Sequence, residues 1–369
     1  MTRLSKHIPA GHHPRRLRGE LLRQMFASIG VEAFLVTFQP HLRYLSHFSG
    51  SNGIGLVTQK GTTHVTDGRY REQVKQEVTG WTTIISDGSL LEPLESRKLL
   101  RAGLRVGFDG NTVSLSQYRQ IRKRFPLVKF LPKAETIERI CARKDPDEIA
   151  LIRRAVAITD TVFDEILPLI KPGVREADIA AEITYRQRRH GADGDAFEPI
   201  VASGKRSALP HGRATSKKIR NGELLTLDFG CVVSGYHSDM TRTVGIGRLP
   251  QELRTLYRTV LEAQRLASDH VRPGIGCRDV DRIARDHIAS AGYGKYFQHS
   301  LGHGIGLQIH EHPRLSVQSK GMLEAGNVIT IEPGIYLPDT GGVRIEDDLV
   351  VTPSGHEILN ASPKELIML

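Results

Sequence analysis

A chain of 369 residues is too long for a single ordinary core, so two domains are expected. Hydrophobic residues at 39% and charged residues at 25% describe a folded protein and exclude a disordered one, and no stretch approaches the roughly 20 apolar residues of a membrane-spanning helix. The net charge of +10 raises nucleic-acid binding as a question, while three scattered cysteines, Cys141, Cys231 and Cys277, lack CxxC spacing. That cysteine usage fits a reducing, cytoplasmic location.

The first basic cluster is terminal: MTRLSKHIPAGHHPRRLRGE has no acid before Glu20. Residues 1–14 read as a solvated, disordered tail. An Arg-rich, acid-poor start also matches an organelle transit peptide, but it lacks the apolar core of a secretory signal. Elsewhere bases alternate with acids, as in RKDPDEIALIRRA, the pattern of a solvated helix face. Neither a nucleic-acid nor a membrane partner is expected.

Along the chain, Leu17, Leu21, Leu22, Met25 and Phe26 recur at helical spacing and predict a helix over 15–30. VEAFLVT and GIGLVTQKGTTHVTD read as strands, the second turning at Gly61. RYREQVKQEV reads as a helix, and WTTIIS and LRVGFDG as strands. Helices between strands imply a smaller α/β domain over 15–138, with Pro132 expected to break structure at its end. Asp145-Pro146 has the cap-then-proline order of a helix start. Helices are expected over 146–168 and 175–190, with the turn IKPGV between them. Strand pairs, helices over 250–271 and 277–291, and a closing run of strands make 139–369 an α+β domain.

Two aspartates interrupt LTLDFGCVVSGYHSDMTRTV: Asp228 after an apolar run, Asp239 in the returning segment. A carboxylate in a buried strand costs several kcal/mol unless it is paired or holds a metal. The same half contains GHGIG with His303, VITIEPGIY with Glu332, and GGVRIEDDLVV with Arg344 and Glu346. In a strand, Ile331 and Glu332 point to opposite faces, and each acid alternates with large apolar residues. Four carboxylates in one enclosed site oppose their own ionisation. Two divalent metals would balance the four charges, and oxygen-rich ligation with one imidazole suits manganese, cobalt, iron or zinc. The competing reading places these acids on exposed hairpins. The residues alone reach a di-metal hydrolase of unknown substrate.

The series SALPHG, LTLDFGCVVSGYHSDMTRT, HSLGHGIGLQIHEHP, ITIEPGIY and GGVRIEDD resembles the metallopeptidases of the pita-bread fold. Its nearest likeness is the branch containing prolidase (Xaa-Pro dipeptidase) and aminopeptidase P. YLSHFSG and DGRYREQV resemble the creatinase-like N-terminal domain of that branch. The resemblance implies a C-terminal pita-bread (creatinase/aminopeptidase) fold of the α+β class behind a smaller α/β domain. It implies that Asp228 chelates one metal, that Asp239 and Glu346 bridge both, and that His303 and Glu332 bind the second. Manganese is the expected ion, with cobalt, zinc and iron as alternatives.

The same likeness gives outer roles. Glu332 would take and return a proton, and His310 would stabilise the tetrahedral intermediate. His211 would contact substrate from a flexible loop, His299 would line the proline pocket, and Arg344 would steady the site or the substrate end. His312, His237 and His287 receive no role. Gly302, Gly304 and Gly306 lack the spacing and lysine of a phosphate loop and are better explained by close backbone approach. Cys231 reads as a packed core thiol. A homodimer and a proline-containing peptide substrate are implied, dipeptide or longer. The alternatives are a metal-free creatinase, an aminopeptidase of the same fold not restricted to proline, and a non-enzymatic pita-bread module that binds histones or RNA.

Overall fold

The computed structural model describes residues 17–369, so the expected basic tail over 1–14 lies outside the described residues. The chain divides into two compact units at Cys141/Ala142.

The first unit opens with α1 (Leu17–Ile29), which buries Leu22 and Phe26 and turns Gln24 to solvent. It is built on a six-stranded mixed sheet in the order β4-β3-β2-β1-β5-β6. The strands are β1 (Ala33–Val36), β2 (Gly53–Thr58), β3 (Thr62–Asp67), β4 (Thr82–Ser86), β5 (Arg105–Asp109) and β6 (Lys129–Lys133). Helices α2 (Gln39–Ser46), α3 (Arg71–Glu77), α4 (Glu92–Ser96) and α5 (Leu115–Arg124) lie between the strands, and α6 (Thr136–Cys141) follows β6. Helix α5 starts at a reciprocal cap, Ser114 holding the Gln117 amide and Gln117 the Ser114 amide. Leu35, Leu56, Val65, Val106 and Phe130 share its core.

Pro132 corrects one expectation, because it lies inside β6 and does not break it. Strand β6 is an edge strand paired only to β5, where a residue without an N–H costs no ladder bond on the open side.

The second unit begins with α7 (Pro146–Ile166), whose first turn is closed by Asp145 and Glu148 in a capping box, and continues with α8 (Glu176–Arg189). A short strand β7 (Gly194–Asp195) pairs with β10 (Cys231–Val233), which also pairs with β11 (Tyr236–His237). Strands β8 (Ile200–Ser203), β9 (Leu224–Phe229) and β12 (Met240–Gly245) form a three-stranded sheet. After α9 (Gln251–Asp269) and α10 (Cys277–Ser290) come β13 (Gly302–Gly304), β14 (Glu311–Leu315), β15 (Val328–Ile331), β18 (Asp347–Thr352) and β19 (Gly355–Ile358), which make a five-stranded sheet. Between them lies the hairpin of β16 (Gly334–Leu337) and β17 (Gly341–Arg344).

Two helical layers decide which side chains are left to face the site. Leu225, Leu227 and Phe229 of β9 share a core with Phe163, Ile183 and Val201, so the alternate positions Thr226 and Asp228 point the other way. Ile329 and Ile331 share a core with Leu256, Val260 and Ile288 of α9 and α10, which leaves Thr330 and Glu332 on the opposite side. Val343 and Ile345 join that same core, leaving Arg344 opposite.

Candidate active site

Asp228 lies in β9 opposite Thr241, and Asp239 immediately precedes β12, so the hairpin register brings both acids to one end of paired strands. Glu332 follows β15 and Glu346 precedes β18, in a second antiparallel pair where Ile331 faces Asp347. The two pairs are stitched together: the Glu346 amide donates to the Thr241 carbonyl at 3.0 Å, and the Thr241 hydroxyl donates to Glu346 Oε2 at 2.6 Å. His303 enters from β13, whose Gly304 pairs with Ile329. A Cβ at Gly304 would sit 2.2 Å from the His312 carbonyl oxygen, so any side chain there would hold β14 away.

The outcome is one cluster. Asp239, His303 and Glu346 each offer an atom within 4.8 Å of the others. His303 Nε2 is 3.4 Å from Glu332 Oε1 and 3.7 Å from Asp239 Oδ2. Asp228 is near enough to raise the pKa of Asp239, Glu332 and Glu346 through its charge. Burial, and then neighbouring carboxylates, hold Asp239 and Glu346 well above the usual range. Burial pushes Glu332 up to about 8, with Arg344 pulling the other way.

Whether this donor set fits a cation can be read from its loose ends. The His303 Nδ1–H donates to the Gly304 carbonyl at 3.1 Å, since a carbonyl can only accept. Nε2 therefore carries a lone pair, and it faces two carboxylates. Burial and the nearby His310 lower the His303 pKa to about 4, so the ring is neutral. Asp228 Oδ1, Asp239 Oδ1 and Glu346 Oε1 are buried with no donor among the described residues. Uncommitted carboxylate oxygens and an imidazole lone pair converging in a low-dielectric site suit hard or borderline divalent cations. The residues fit.

Around the cluster runs a polar chain. Arg344 donates to Asp228, to the Tyr336 hydroxyl at 2.7 Å, to Thr241 Oγ1 at 3.0 Å and to the Pro210 carbonyl at 3.1 Å. The Tyr336 hydroxyl lies 2.9 Å from His299 Nε2, and His299 Nδ1 is 2.8 Å from the Ser300 carbonyl. His299 therefore donates through Nδ1 and accepts from Tyr336 through Nε2. Burial, then the Arg344 charge, lowers its pKa to about 3. The His310 ring stands edge-on to His303 at 4.4 Å. His211 is exposed on the loop after β8, and its charge lowers the pKa of both His299 and His310.

Sequence reasoning passed over Tyr336, Thr241 and Asp348. Asp348 Oδ2 accepts from the Asp239 amide at 2.9 Å, which sets the direction of that segment. Tyr336 had a readable signal: it lies in the quoted ITIEPGIY at a position alternating with Gly334, on the strand paired to the one bearing Arg344. Thr241 and Asp348 had none, because their partners lie 105 and 109 residues away in sequence. Cys231 is fully buried, with its thiol 3.3 Å from the Ala155 carbonyl and its pKa pushed up to about 11 by burial, which leaves it inert.

Two family models match the chain. The Creatinase/Prolidase N-terminal domain matches residues 18–140, and Metallopeptidase family M24 matches residues 150–353. An uncharacterised peptidase of Bacillus subtilis is 42% identical over 95% of this chain and 99% of its own. The Xaa-Pro dipeptidase of Pyrococcus horikoshii is 37% identical over 91% of this chain and 95% of its own. Among solved structures, an Xaa-Pro dipeptidase from Bacillus anthracis superposes with a TM-score of 0.93 at 39% identity, covering 96% of this chain and all 100% of that one. The expected α+β pita-bread fold behind a creatinase-like domain is therefore the fold found. The chain belongs to metallopeptidase family M24, as a member that carries the creatinase/prolidase N-terminal domain.

Proposed function

We propose that this protein is a dinuclear metal-dependent exopeptidase that cleaves the Xaa-Pro bond of dipeptides. The observation that carries the reading is the convergence of Asp239, His303 and Glu346 within 4.8 Å, with uncommitted acid oxygens beside them. The Xaa-Pro dipeptidase names of relatives covering nearly the whole chain support the substrate. Asp228, Asp239, His303, Glu332 and Glu346 would hold two divalent cations, manganese being the ion to try first. Bound there, the cations supply Lewis acidity and a nucleophile at neutral pH.

The remaining work falls to the chain's own groups. The Xaa-Pro bond is a tertiary amide with no N–H to grip, so recognition must come from shape and from the two substrate ends. Glu332 Oε1 accepts from the Thr330 hydroxyl at 3.4 Å and lies 3.4 Å from His303 Nε2, placing a carboxylate that can take and return a proton beside the cluster. His310, stacked edge-on to His303, can donate to developing negative charge. His299, with Phe297 edge-on at 5.1 Å and Tyr336 on its Nε2, offers a ring face to a proline side chain. His211 reaches substrate from its loop, and Arg344 holds Asp228 in place.

The test compares Ala-Pro with Ala-Pro-Ala under added manganese, for the wild type and Glu332→Gln. Cleavage of Ala-Pro alone, lost in the variant, supports the dipeptidase. A second reading, an X-Pro aminopeptidase, has support from a Thermotoga maritima structure of that name at 36% identity and a TM-score of 0.86. Faster cleavage of Ala-Pro-Ala would favour it. No metal-dependent cleavage of either peptide would remove both.

A further inference from the structure

The loop that carries His211 runs from Ser203, at the end of β8, to Thr215, and one buried carboxylate holds both ends. Glu176, the first residue of α8, is fully buried. Its Oε1 accepts from the Ser203 amide at 2.8 Å and the Ser203 hydroxyl at 2.9 Å. Its Oε2 accepts from the Thr215 hydroxyl at 2.8 Å, the Thr215 amide at 3.2 Å and Arg206 Nε at 3.0 Å. Charge-assisted bonds of this kind are roughly twice as strong as neutral ones.

The loop is tied again along its length. The Arg206 guanidinium donates to the Arg213 carbonyl, and the Gly342 amide donates to Ser207 Oγ at 2.8 Å. Next to His211, the Pro210 carbonyl accepts from Arg344, the same guanidinium that donates to Asp228. An exposed histidine thus stands on a loop whose two stems share one anion and whose tip is bound to the acid cluster.

We propose that Glu176 is a positioning residue for the peptidase reaction: by joining Ser203 to Thr215 it fixes the loop that presents His211 to substrate. The inference rests on the Xaa-Pro peptidase reading for what His211 contacts. Glu176 acts from outside the acid cluster, so loosening its bonds should weaken the use of substrate and leave metal binding alone.

Thr215→Val removes one hydroxyl donor at nearly constant volume, and Thr215→Ser keeps it. In the full-length protein with manganese, Thr215→Val should lower kcat/KM for Ala-Pro about tenfold, from the loss of one bond to a charged acceptor. Thr215→Ser should restore it, with manganese affinity unchanged in both. In a His211→Ala background the Thr215→Val loss should vanish, because the loop then has no histidine to position. Amide hydrogen exchange over residues 204–213 should quicken in Thr215→Val, and beyond that loop only at Lys217, whose amide donates to the Thr215 hydroxyl at 3.2 Å.

An equal loss in the His211→Ala background, or unchanged exchange in that loop, would overturn the inference. If the wild type cleaves neither Ala-Pro nor Ala-Pro-Ala, the peptidase reading falls instead. The exchange experiment still decides whether Glu176 braces the loop, with acceleration over residues 204–213 in favour and acceleration at Lys217 alone, or none, against.

Discussion

Arg344 and Asp228 form an ion pair within the catalytic unit, their side chains only 5% and 10% exposed. The same guanidinium also serves Tyr336, Thr241 and Pro210. Removing one member of a buried pair strands the other charge, which costs far more than the pair itself contributes. Arg344→Leu is expected to weaken metal affinity and to lower kcat/KM about 100-fold, the range seen when residues supporting a metal ligand are removed. Arg344→Lys should recover little, since one ammonium cannot reach four acceptors that a planar fork reaches. Steady-state kinetics with a manganese titration of each variant checks both statements.

Asp239 should separate stability from function. Burial and the charges of Glu346, Asp228, Asp348 and Glu332 oppose its ionisation, so among protein groups alone it is a repulsive member of the cluster. Asp239→Asn in chelator should therefore melt no lower than the wild type, and about 2–4 °C higher for each kcal/mol of repulsion relieved. With manganese added the order should reverse: the wild type gains stability by binding, and the variant does not. Calorimetry with and without the ion reads both.

The first unit should show acid sensitivity traceable to His64. This residue is fully buried against the Phe48 ring at 4.6 Å, and neither ring nitrogen has a hydrogen-bond partner among the described residues. Burial lowers its pKa to about 4 from an ordinary 6.5. The unfolded chain then binds more protons between those two values, so the stability contribution is present above pH 6.5 and is lost as pH falls toward about 4. His64→Leu should flatten this dependence by up to about 1.4 kcal/mol per pH unit. Urea unfolding of both proteins near pH 7 and near pH 4.5 measures the difference.

Arg242 is the stability counterpart of Arg344. It is buried and donates to the Glu346 carbonyl, to Asp347 Oδ1 at 2.7 Å, to the Ser362 carbonyl at 2.8 Å and to the Pro363 carbonyl at 3.1 Å. Asp347 is further held by Lys364 at 2.7 Å and Gln264 at 2.9 Å. Arg242→Ala is expected to cost about 3–5 kcal/mol. The exposed pair Arg153–Glu357, although 2.5 Å long, should give less than about 1 kcal/mol when Arg153 is truncated. Chemical denaturation of the two variants makes the comparison.

Local chemistry made much of the fold legible. Asp145 before Pro146 announced α7, whose first turn is a capping box, and alternation around Ile331 separated the helix-facing side from the side bearing Glu332. The motif residues were readable because several chemical oddities, acids inside apolar strands, recur in one half of the chain. What stayed hidden depends on contacts between distant segments. Glu176 is one acid among several in a helix-forming stretch until folding brings Ser203 and Thr215 to it. Pro132 was expected to end structure, and only the strand order shows that its strand is an edge, where a missing N–H is tolerated. Thr241 and Asp348 look like ordinary strand residues until two sheets meet.

Asp228, Asp239, His303, Glu332 and Glu346 are proposed together to form one two-cation hydrolytic site. Its most direct test is to strip the purified protein with chelator, then titrate manganese while measuring bound metal and Ala-Pro hydrolysis on the same samples. Two equivalents bound, with hydrolysis rising as they fill and Asp239→Asn failing on both counts, is the predicted result. Hydrolysis that persists without metal, or manganese bound at full stoichiometry by Asp239→Asn, would contradict it.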